Sequence, residues 1–216
     1  MPERERLISL GHYLQKNKLA WGTSGNVSTR IDIENMVVTA SGTSMGDLKE
    51  DDFVVCNINN GEVVGKGKAS KETPMHTGVY KRRPDVNVVL HSSPYYTTFA
   101  ACSSLPIYSD LFVETMYYLE DIAYVDYHHP GSEALGNAVA EASQNANVII
   151  LKNHGVVVCD DSIAEVCMRI ETLEMACRMC LEAEQAKMAL NKISPDKVKE
   201  FLEDAVYKPR KSLNGY

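Results

Sequence analysis

Two histidines that each follow a strongly apolar run are the first sign of chemistry in the sequence. His91 follows the run at residues 86–90, and His154 comes soon after the run at 148–151. Such runs predict buried strands, and histidines at the ends of buried strands can converge at one edge of a sheet, where α/β proteins bind ligands. Neutral imidazole is a common metal ligand, so the pair favours a metal site. For each histidine taken alone, a hydrogen-bonded structural role is the more frequent case.

Glu72 is the acidic residue that could act together with this pair. It stands at the start of a predicted helix over residues 72–82, where the helix dipole favours an acidic side chain. A glutamate beside a metal can instead ligate the ion, or carry a proton between the metal and a substrate. Both interpretations stay open from the residues alone.

Two short loops rich in glycine and hydroxyl groups are candidates for binding an anion. They are Gly22-Thr-Ser-Gly-Asn26 and Thr39-Ala-Ser-Gly-Thr-Ser44, and each lies next to a predicted strand. Exposed backbone N–H groups and hydroxyls suit a phosphate, although each loop alone is also an ordinary turn. Neither loop is a P-loop, and Gly65-Lys-Gly67-Lys lacks the four-residue gap before Gly-Lys-Ser/Thr that a P-loop needs.

The remaining cysteine and histidine pairs carry weaker signals. Cys177 and Cys180 form a single CxxC pair inside a predicted long helix, away from a helix N-terminus that would stabilise a thiolate. With no second CxxC to complete a zinc site, they are predicted to be core thiols. His128 and His129 precede Pro130-Gly131 in a predicted loop, and either is a candidate for entering the active site.

The elements that must position these residues follow from apolar periodicity and from turn residues. Helices are predicted over residues 3–18, 72–82, 132–143 and 161–191, after Pro94 and from Ser194, and strands over 27–31, 36–40, 53–58, 62–64, 86–91, 122–125, 147–151 and 156–159. Strands flanked by helices predict one layered α/β domain over residues 1–216. Its last segment, at about 206–216, is a basic tail.

Composition excludes several classes of protein. The chain has 216 residues, 44% of them hydrophobic and 24% charged, which is typical of a globular protein. A formal net charge of -7 argues against nucleic acid or an anionic membrane as a partner, since both reward clustered Lys and Arg. No signal peptide or membrane-spanning segment is recognisable, so we expect a cytoplasmic protein whose six cysteines are reduced.

Five ordered segments resemble the class II aldolase/adducin family, and are most similar to L-fuculose-1-phosphate aldolase-like enzymes. They are Gly22-Thr-Ser-Gly-Asn-Val-Ser28, Thr39-Ala-Ser-Gly42, Ala69-Ser-Lys-Glu-Thr-Pro-Met-His76, Arg83-Pro-Asp-Val-Asn-Val-Val-Leu-His91 and Asn153-His154-Gly155. The resemblance covers about residues 5–185. It implies a central, mainly antiparallel β-sheet covered by helices on both sides, in a homotetramer whose active sites lie between subunits.

The resemblance also assigns roles residue by residue. Glu72 matches the acid/base glutamate of the aldolases, and His91 and His154 match zinc ligands. The positions that match the grip on the substrate phosphate are Asn26, Ser41, Gly42 and Ser70, with Thr23 and Lys71 near them. A tyrosine often donates a second proton in such aldolases; Tyr207 and Tyr216 are candidates by their tail position, and Tyr117 and Tyr118 are weaker ones.

One position departs from the family's pattern. The usual run is His-x-His, whereas this chain has Ser93 where a further histidine ligand is expected. Glu72, His91 and His154 would still leave two imidazoles and one carboxylate, which is enough for a catalytic metal with open positions. Alternatively, His128 or His129 moves in, or the chain is a non-catalytic member of the family.

The implied function is metal-dependent cleavage of a ketose phosphate, similar to L-fuculose 1-phosphate, to dihydroxyacetone phosphate and an aldehyde. In the implied mechanism Zn2+, or Mn2+, Co2+ or Fe2+, stabilises an enediolate while Glu72 moves the proton. Glutamate rather than aspartate at position 72 favours the aldolase branch. A sugar-phosphate epimerase or decarboxylase on the same scaffold, and a non-catalytic binding protein, remain as alternatives.

Overall fold

A single eight-stranded sheet organises the residues that the computed structural model describes, which are 2–203 and 207–208. The strands are β1 (Asn26–Arg30), β2 (Asn35–Thr39), β3 (Phe53–Asn57), β4 (Val63–Val64), β5 (Val88–Ser92), β6 (Ile122–Val125), β7 (Val148–Leu151) and β8 (Gly155–Asp160). Their order across the sheet is β4-β3-β2-β1-β5-β8-β7-β6. Every neighbouring pair is antiparallel except β6 and β7, which confirms the expected mainly antiparallel sheet.

Helices cover both faces of this sheet, as expected. Within the described residues they are α1 (Pro2–Lys16), α2 (Thr73–Arg82), α3 (Tyr95–Ala101), α4 (Val113–Tyr118), α5 (Glu133–Ala142), α6 (Ile163–Ala186) and α7 (Pro195–Glu203). One apolar core joins the sheet to α1, α3 and α6, and contains Leu7, Ala100 and Ile170. A second core on the opposite face joins it to α2 and α5, and contains Val79 and Leu135.

The alternation of β5 aims its histidine at one of these two faces. Val88 and Leu90 belong to the core that includes α1 and α6, whereas Val89 belongs to the core that includes α2 and α5. Because side chains alternate along a strand with a period of two, His91 points to the same face as Val89. The sheet therefore delivers the His91 ring to the side that α2 occupies.

His91 and His154 do converge, as predicted. The cause is the antiparallel pairing of β5 with β8, and not the convergence of strand ends at one edge of a parallel sheet. β5 and β8 are antiparallel, and His91 is paired with Val157 while Ser92 is paired with Val156. The end of β5 therefore lies beside the beginning of β8. His154 immediately precedes β8, in a tight turn where Asn153 adopts a left-handed conformation (φ 58°).

The differences from the sequence-based expectation include the end of α6 and one additional helix. Helix α6 ends at Ala186 instead of residue 191, because Lys187 takes a left-handed conformation (φ 52°) that caps the helix. Helix α4 was not predicted, since its six residues are too few to show a helical period. The structure confirms Cys177 and Cys180 as core thiols: both are buried in α6, and burial raises the pKa of each.

Candidate metal centre and active site

A carboxylate lies between two imidazole rings at the edge of the sheet. The Nε2 atom of His91 is 3.3 Å from Oε2 of Glu72, and Nε2 of His154 is 3.2 Å from Oε1 of the same carboxylate. The candidate ligand atoms of all three residues lie within 4.8 Å of one another. The structure therefore assembles the three side chains that the sequence singled out.

Local backbone structure places Glu72 at this edge. An isolated bridge pairs Ala40 with Ala69, and the Ser70 N–H donates to the Thr39 carbonyl at 3.1 Å. The chain then turns into α2, with Glu72 as the N-cap and a proline in the first turn, where proline starts a helix without losing a hydrogen bond. The end of β2 thus anchors Ser70, which lies two residues before Glu72.

The three side chains fit a divalent metal on the chemistry of their donor atoms. The His91 Nδ1–H donates to the Val156 carbonyl at 3.0 Å, which leaves the lone pair on Nε2 facing Glu72. Glu72 Oε1 and His154 Nδ1 are buried without a hydrogen-bond partner, although Oε1 lies close to His154 Nε2. Two imidazoles and one carboxylate match a catalytic zinc site that keeps positions open for substrate.

The electrostatics keep Glu72 ionised and His91 neutral near pH 7. Burial by itself raises the pKa of the Glu72 carboxyl, but His154, His91 and the Asn26 amide outweigh it and lower that pKa to about 2. Burial lowers the pKa of His91, even though the Glu72 charge opposes that shift. An ionised carboxylate and a neutral imidazole are the forms in which these groups ligate a metal.

The segments that carry Ser41 and Ser70, two of the residues predicted to bind phosphate, lie side by side next to Glu72. The Ser41 N–H donates to the Lys68 carbonyl at 2.9 Å, and the Ser70 hydroxyl accepts from the Glu72 N–H at 3.3 Å. Gly42 is exposed and has φ 85°, a conformation that favours glycine. Thr23 and Lys71 are exposed. The phosphate-binding role of these residues stays a prediction.

Asn26, also predicted to bind phosphate, makes its closest contacts with the carboxylate. Its side-chain Nδ2 donates to Glu72 Oε2 at 2.9 Å, and its Oδ1 lies 2.5 Å from His76 Nε2. No role for His76 was predicted from the sequence. Its position four residues after Glu72 on one predicted helix was the available signal, because residues i and i+4 share a helix face.

Ser93 faces the backbone of the turn that carries His154. Its hydroxyl donates to the His154 carbonyl at 3.4 Å, and its own carbonyl accepts from Trp21 Nε1 at 3.0 Å. His128 is half-buried and His129 is exposed, and neither belongs to the one group of candidate ligands found among residues 2–203 and 207–208.

The tyrosine candidates lie in different parts of the fold. Tyr207 is partly exposed, and its ring centroid is 5.7 Å from that of Tyr117 and 5.7 Å from that of Phe201. Tyr118 is buried, and its hydroxyl accepts from Lys208 Nζ at 2.5 Å. Tyr216 lies outside the described residues, as does the predicted basic tail apart from 207–208.

Within the described part of the chain, no helix has the length and apolar character that a membrane span requires.

Comparisons with known proteins agree with this fold. Residues 5–181 match the family model described as Class II Aldolase and Adducin N-terminal domain. An L-fuculose phosphate aldolase of Methanocaldococcus jannaschii is 32% identical over 188 residues, covering 87% of this chain and 96% of the relative. A 3-oxo-tetronate 4-phosphate decarboxylase of Haemophilus influenzae is 26% identical over 183 residues, covering 83% and 87%. A solved L-fuculose 1-phosphate aldolase superposes with a TM-score of 0.82 at 25% identity, covering 94% and 95%.

Proposed function

The chain belongs to the class II aldolase and adducin family, and from this membership we propose that it is a metal-dependent sugar-phosphate aldolase. Its substrate would be a ketose 1-phosphate similar to L-fuculose 1-phosphate, and its products dihydroxyacetone phosphate and an aldehyde. The observation that carries the proposal is the Glu72 carboxylate held between His91 and His154.

Glu72, His91 and His154 would hold the metal, which we propose to be Zn2+ or else Mn2+, Co2+ or Fe2+. When bound, such an ion supplies Lewis-acid polarisation of the substrate's hydroxyl and carbonyl oxygens. The Val156 carbonyl contributes by accepting the His91 Nδ1–H, which sets the tautomer that presents Nε2 as a ligand.

The proposed role of Glu72 is to move the proton at carbon. In cleavage, the bond between C3 and C4 of the ketose phosphate breaks, and its electron pair stays with C3. Glu72, ionised at neutral pH, would accept the proton of the C4 hydroxyl as C4 becomes the aldehyde carbon, and would then deliver that proton to C3. In the reverse direction the ionised carboxylate removes that proton, and a pKa of about 2 keeps it available as the base.

The adjacent segments that carry Ser41 and Ser70 suit the phosphate end of this substrate. Ser41 and Ser70 offer hydroxyls, and Gly42 leaves its backbone open to a close approach. Lys71 is exposed beside them and would add positive charge. Because these groups flank Glu72, a ketose 1-phosphate bound through them would bring its carbonyl end toward the carboxylate.

The test is release of triose phosphate from a panel of ketose 1-phosphates. We expect release by the parent protein, loss of that activity in Glu72→Gln and after chelation, and full activity in the control Glu141→Gln, which alters an exposed residue of α5. Release that survives both chelation and Glu72→Gln would show that the proposed metal mechanism is wrong.

Decarboxylation of a phosphorylated 3-oxo acid is a second candidate function. The H. influenzae relative supports it, because that protein carries the name of such a decarboxylase. Loss of carbon dioxide leaves an electron pair next to a carbonyl, as aldol cleavage does, so Glu72 could return the proton in either reaction. Carbon dioxide release without triose phosphate release would favour this candidate, and an exchange of sugar epimers would favour the epimerase alternative.

A non-catalytic role is the remaining alternative to the proposed aldolase activity. The serine at position 93, in place of a histidine ligand, is the support for a non-catalytic member. A protein that binds metal but converts no sugar phosphate would favour that role.

Self-association into a homotetramer is proposed from the family resemblance, and sedimentation equilibrium tests it.

A further inference from the structure

A buried chain of hydrogen bonds leads from the interior of the fold to the Glu72 carboxylate. The Tyr80 hydroxyl is 2.9 Å from Ser28 Oγ, which is 2.7 Å from His76 Nδ1. On the other side of the same ring, His76 Nε2 is 2.5 Å from Asn26 Oδ1, and Asn26 Nδ2 is 2.9 Å from Glu72 Oε2. Ser28 and His76 are fully buried, and Asn26 is 5% exposed.

The ionised carboxylate sets the direction of the hydrogen bonds between Ser28 and Glu72. It can only accept, so the Asn26 NH2 group donates to it and the Asn26 carbonyl faces His76. That carbonyl also accepts, so His76 Nε2 carries the ring proton. His76 Nδ1 is then an acceptor, and Ser28 Oγ–H donates to it. The bonds thus run in one sense, from Ser28 through His76 and Asn26 to Glu72.

From this geometry we propose that His76 is a positioning residue, which orients the Asn26 amide and through it aims the Glu72 carboxylate at the metal site. The inference rests on the proposed function, because the site it serves is the proposed metal centre. His76 touches neither substrate nor metal in this account. It acts only through Asn26.

The physical need for such a residue comes from the near symmetry of an amide. The oxygen and nitrogen of the Asn26 side chain are similar in size, so packing alone does not decide which one faces Glu72. A His76 ring with its proton on Nε2 disfavours the turned amide, since two N–H groups would then meet. The Glu72 carboxylate favours the same orientation, because the turned amide would set its oxygen against another acceptor, and His76 adds to that preference from the buried side.

The surroundings of His76 support a single protonation state. Burial lowers the pKa of His76 to about 3, so the ring carries one proton over the physiological range. The Asn26 carbonyl, which can only accept, requires that proton on Nε2, and the Ser28 hydroxyl can then donate to Nδ1 from the side of β1. The Tyr80 hydroxyl, 3.3 Å from the Asn87 carbonyl as well as near Ser28, holds the far end of the chain.

The first test reads the tautomer of His76 in the metal-free parent protein. With 15N-labelled histidine, we expect the nuclear magnetic resonance shifts of His76 to show a protonated Nε2 and an unprotonated Nδ1. A proton on Nδ1 would reverse the direction of the chain and overturn the proposal. This readout needs neither enzyme activity nor a substituted protein.

The second test measures zinc affinity of metal-free protein by competition with a chromophoric chelator. We expect His76→Leu, which removes both hydrogen bonds, to weaken zinc binding by roughly 10–100-fold, the range for loss of an outer partner of a ligand. His76→Gln is expected to recover most of that loss, because its amide can donate to Asn26 and accept from Ser28. The control is His12→Leu, which alters an exposed histidine of α1.

The outcomes separate this inference from the proposed function. Zinc binding by the parent that is equally strong in His76→Leu would overturn the inference and leave the metal site standing. Absence of zinc binding in the parent would overturn both. If His76→Leu does not fold, judged by circular dichroism, Ser28→Ala takes its place. It keeps the ring but removes the donor to Nδ1, and unchanged affinity in that variant would also contradict the proposal.

Discussion

The ring of His91 lies edge-on to that of His154, with their centroids 4.7 Å apart and their planes at 64°. The contact follows from the antiparallel pairing of β5 with β8, which sets the end of one strand beside the start of the other. Glu72 lies close to both rings from the N-terminus of α2. Three segments distant in sequence therefore supply one side chain each to the candidate metal centre.

Metal binding should stabilise the fold as well as enable chemistry. A ligand that binds only the native state adds about 2.7 kcal/mol to the free energy of unfolding when its concentration is 100 times its dissociation constant. We expect zinc to raise the melting temperature of metal-free protein, and a chelator to reverse the increase. The variant His91→Ala should show no such shift, and an equal shift in that variant would place the metal elsewhere.

The substitution Ser93→His should tighten metal binding. A third imidazole beside His91 and His154 would add a ligand, whereas the present Ser93 hydroxyl faces a backbone carbonyl. We expect about one metal ion per subunit in both proteins, with the higher affinity in the variant. Ser93→Ala is the matched control and should bind metal as the parent does.

Metal content measured directly after purification distinguishes the alternatives for Ser93. A parent without metal beside a Ser93→His variant with one ion would mean that the natural serine has cost the site its metal. That result would contradict the aldolase proposal and favour a non-catalytic member of the family.

Loss of a loop hydroxyl should weaken substrate binding more than turnover. A hydrogen bond to a charged group contributes about 1.5–3 kcal/mol, so Ser70→Ala should raise the KM for a phosphorylated substrate by roughly 10–100-fold. Ser9→Ala, which alters an exposed serine of α1, should leave steady-state kinetics unchanged. A fall in kcat at constant KM in Ser70→Ala would instead assign Ser70 to the chemical step.

Stability should depend on acid pH through Asp85. Burial alone would raise the pKa of Asp85, but its ion pair with Arg83, at 2.7 Å, outweighs that effect and lowers it. The same guanidinium donates to the Ser143 carbonyl and to Asn147 Oδ1, and so ties the end of α2 to the region between α5 and β7. Loss of Asp85 would leave part of a buried charge unpaired.

The sign of this effect follows from the lowered pKa. The contribution is fully present above the unfolded pKa of about 3.9, and is lost as pH falls through the lower folded value. Asp85→Asn should therefore reduce the free energy of unfolding near pH 7 by about 1–3 kcal/mol, with a gap that narrows below pH 4. Urea titrations across pH measure it, with the exposed Asp51→Asn as control. A gap that does not change with pH would contradict the assignment.

Core burial can be checked with two isoleucines in opposite environments. Ile150 is fully buried in the core that contains α1 and α6, whereas Ile33 is 86% exposed. We expect Ile150→Ala to lower the free energy of unfolding by about 2–5 kcal/mol, because it removes methyl groups and leaves a cavity. Ile33→Ala should change it by less than about 0.5 kcal/mol. The fluorescence of Trp21, the single tryptophan, reports both transitions.

The amino-acid sequence by itself determined the strands, most of the helices and the identity of the three clustered side chains. Apolar runs such as residues 148–151 predict buried strands, because successive side chains of a strand point to opposite faces and an unbroken apolar run is therefore apolar on both faces. Ordered family segments pointed to Glu72, His91 and His154 before any distance was known. Short helices such as α4 could not be predicted, because six residues are too few to show a helical period.

Only the tertiary structure decided what surrounds those three side chains. The antiparallel register brings His91 to His154, and the packing of α2 against β1 brings His76 to Asn26 and Asn26 to Glu72. The pairing of β5 with β8 also brings the Ser93 hydroxyl to the His154 carbonyl. A hydrogen bond requires the donor–acceptor distance to be correct to within a few tenths of an ångström, and it also requires a suitable angle. Between segments far apart in the chain, spacing along the sequence does not encode either quantity.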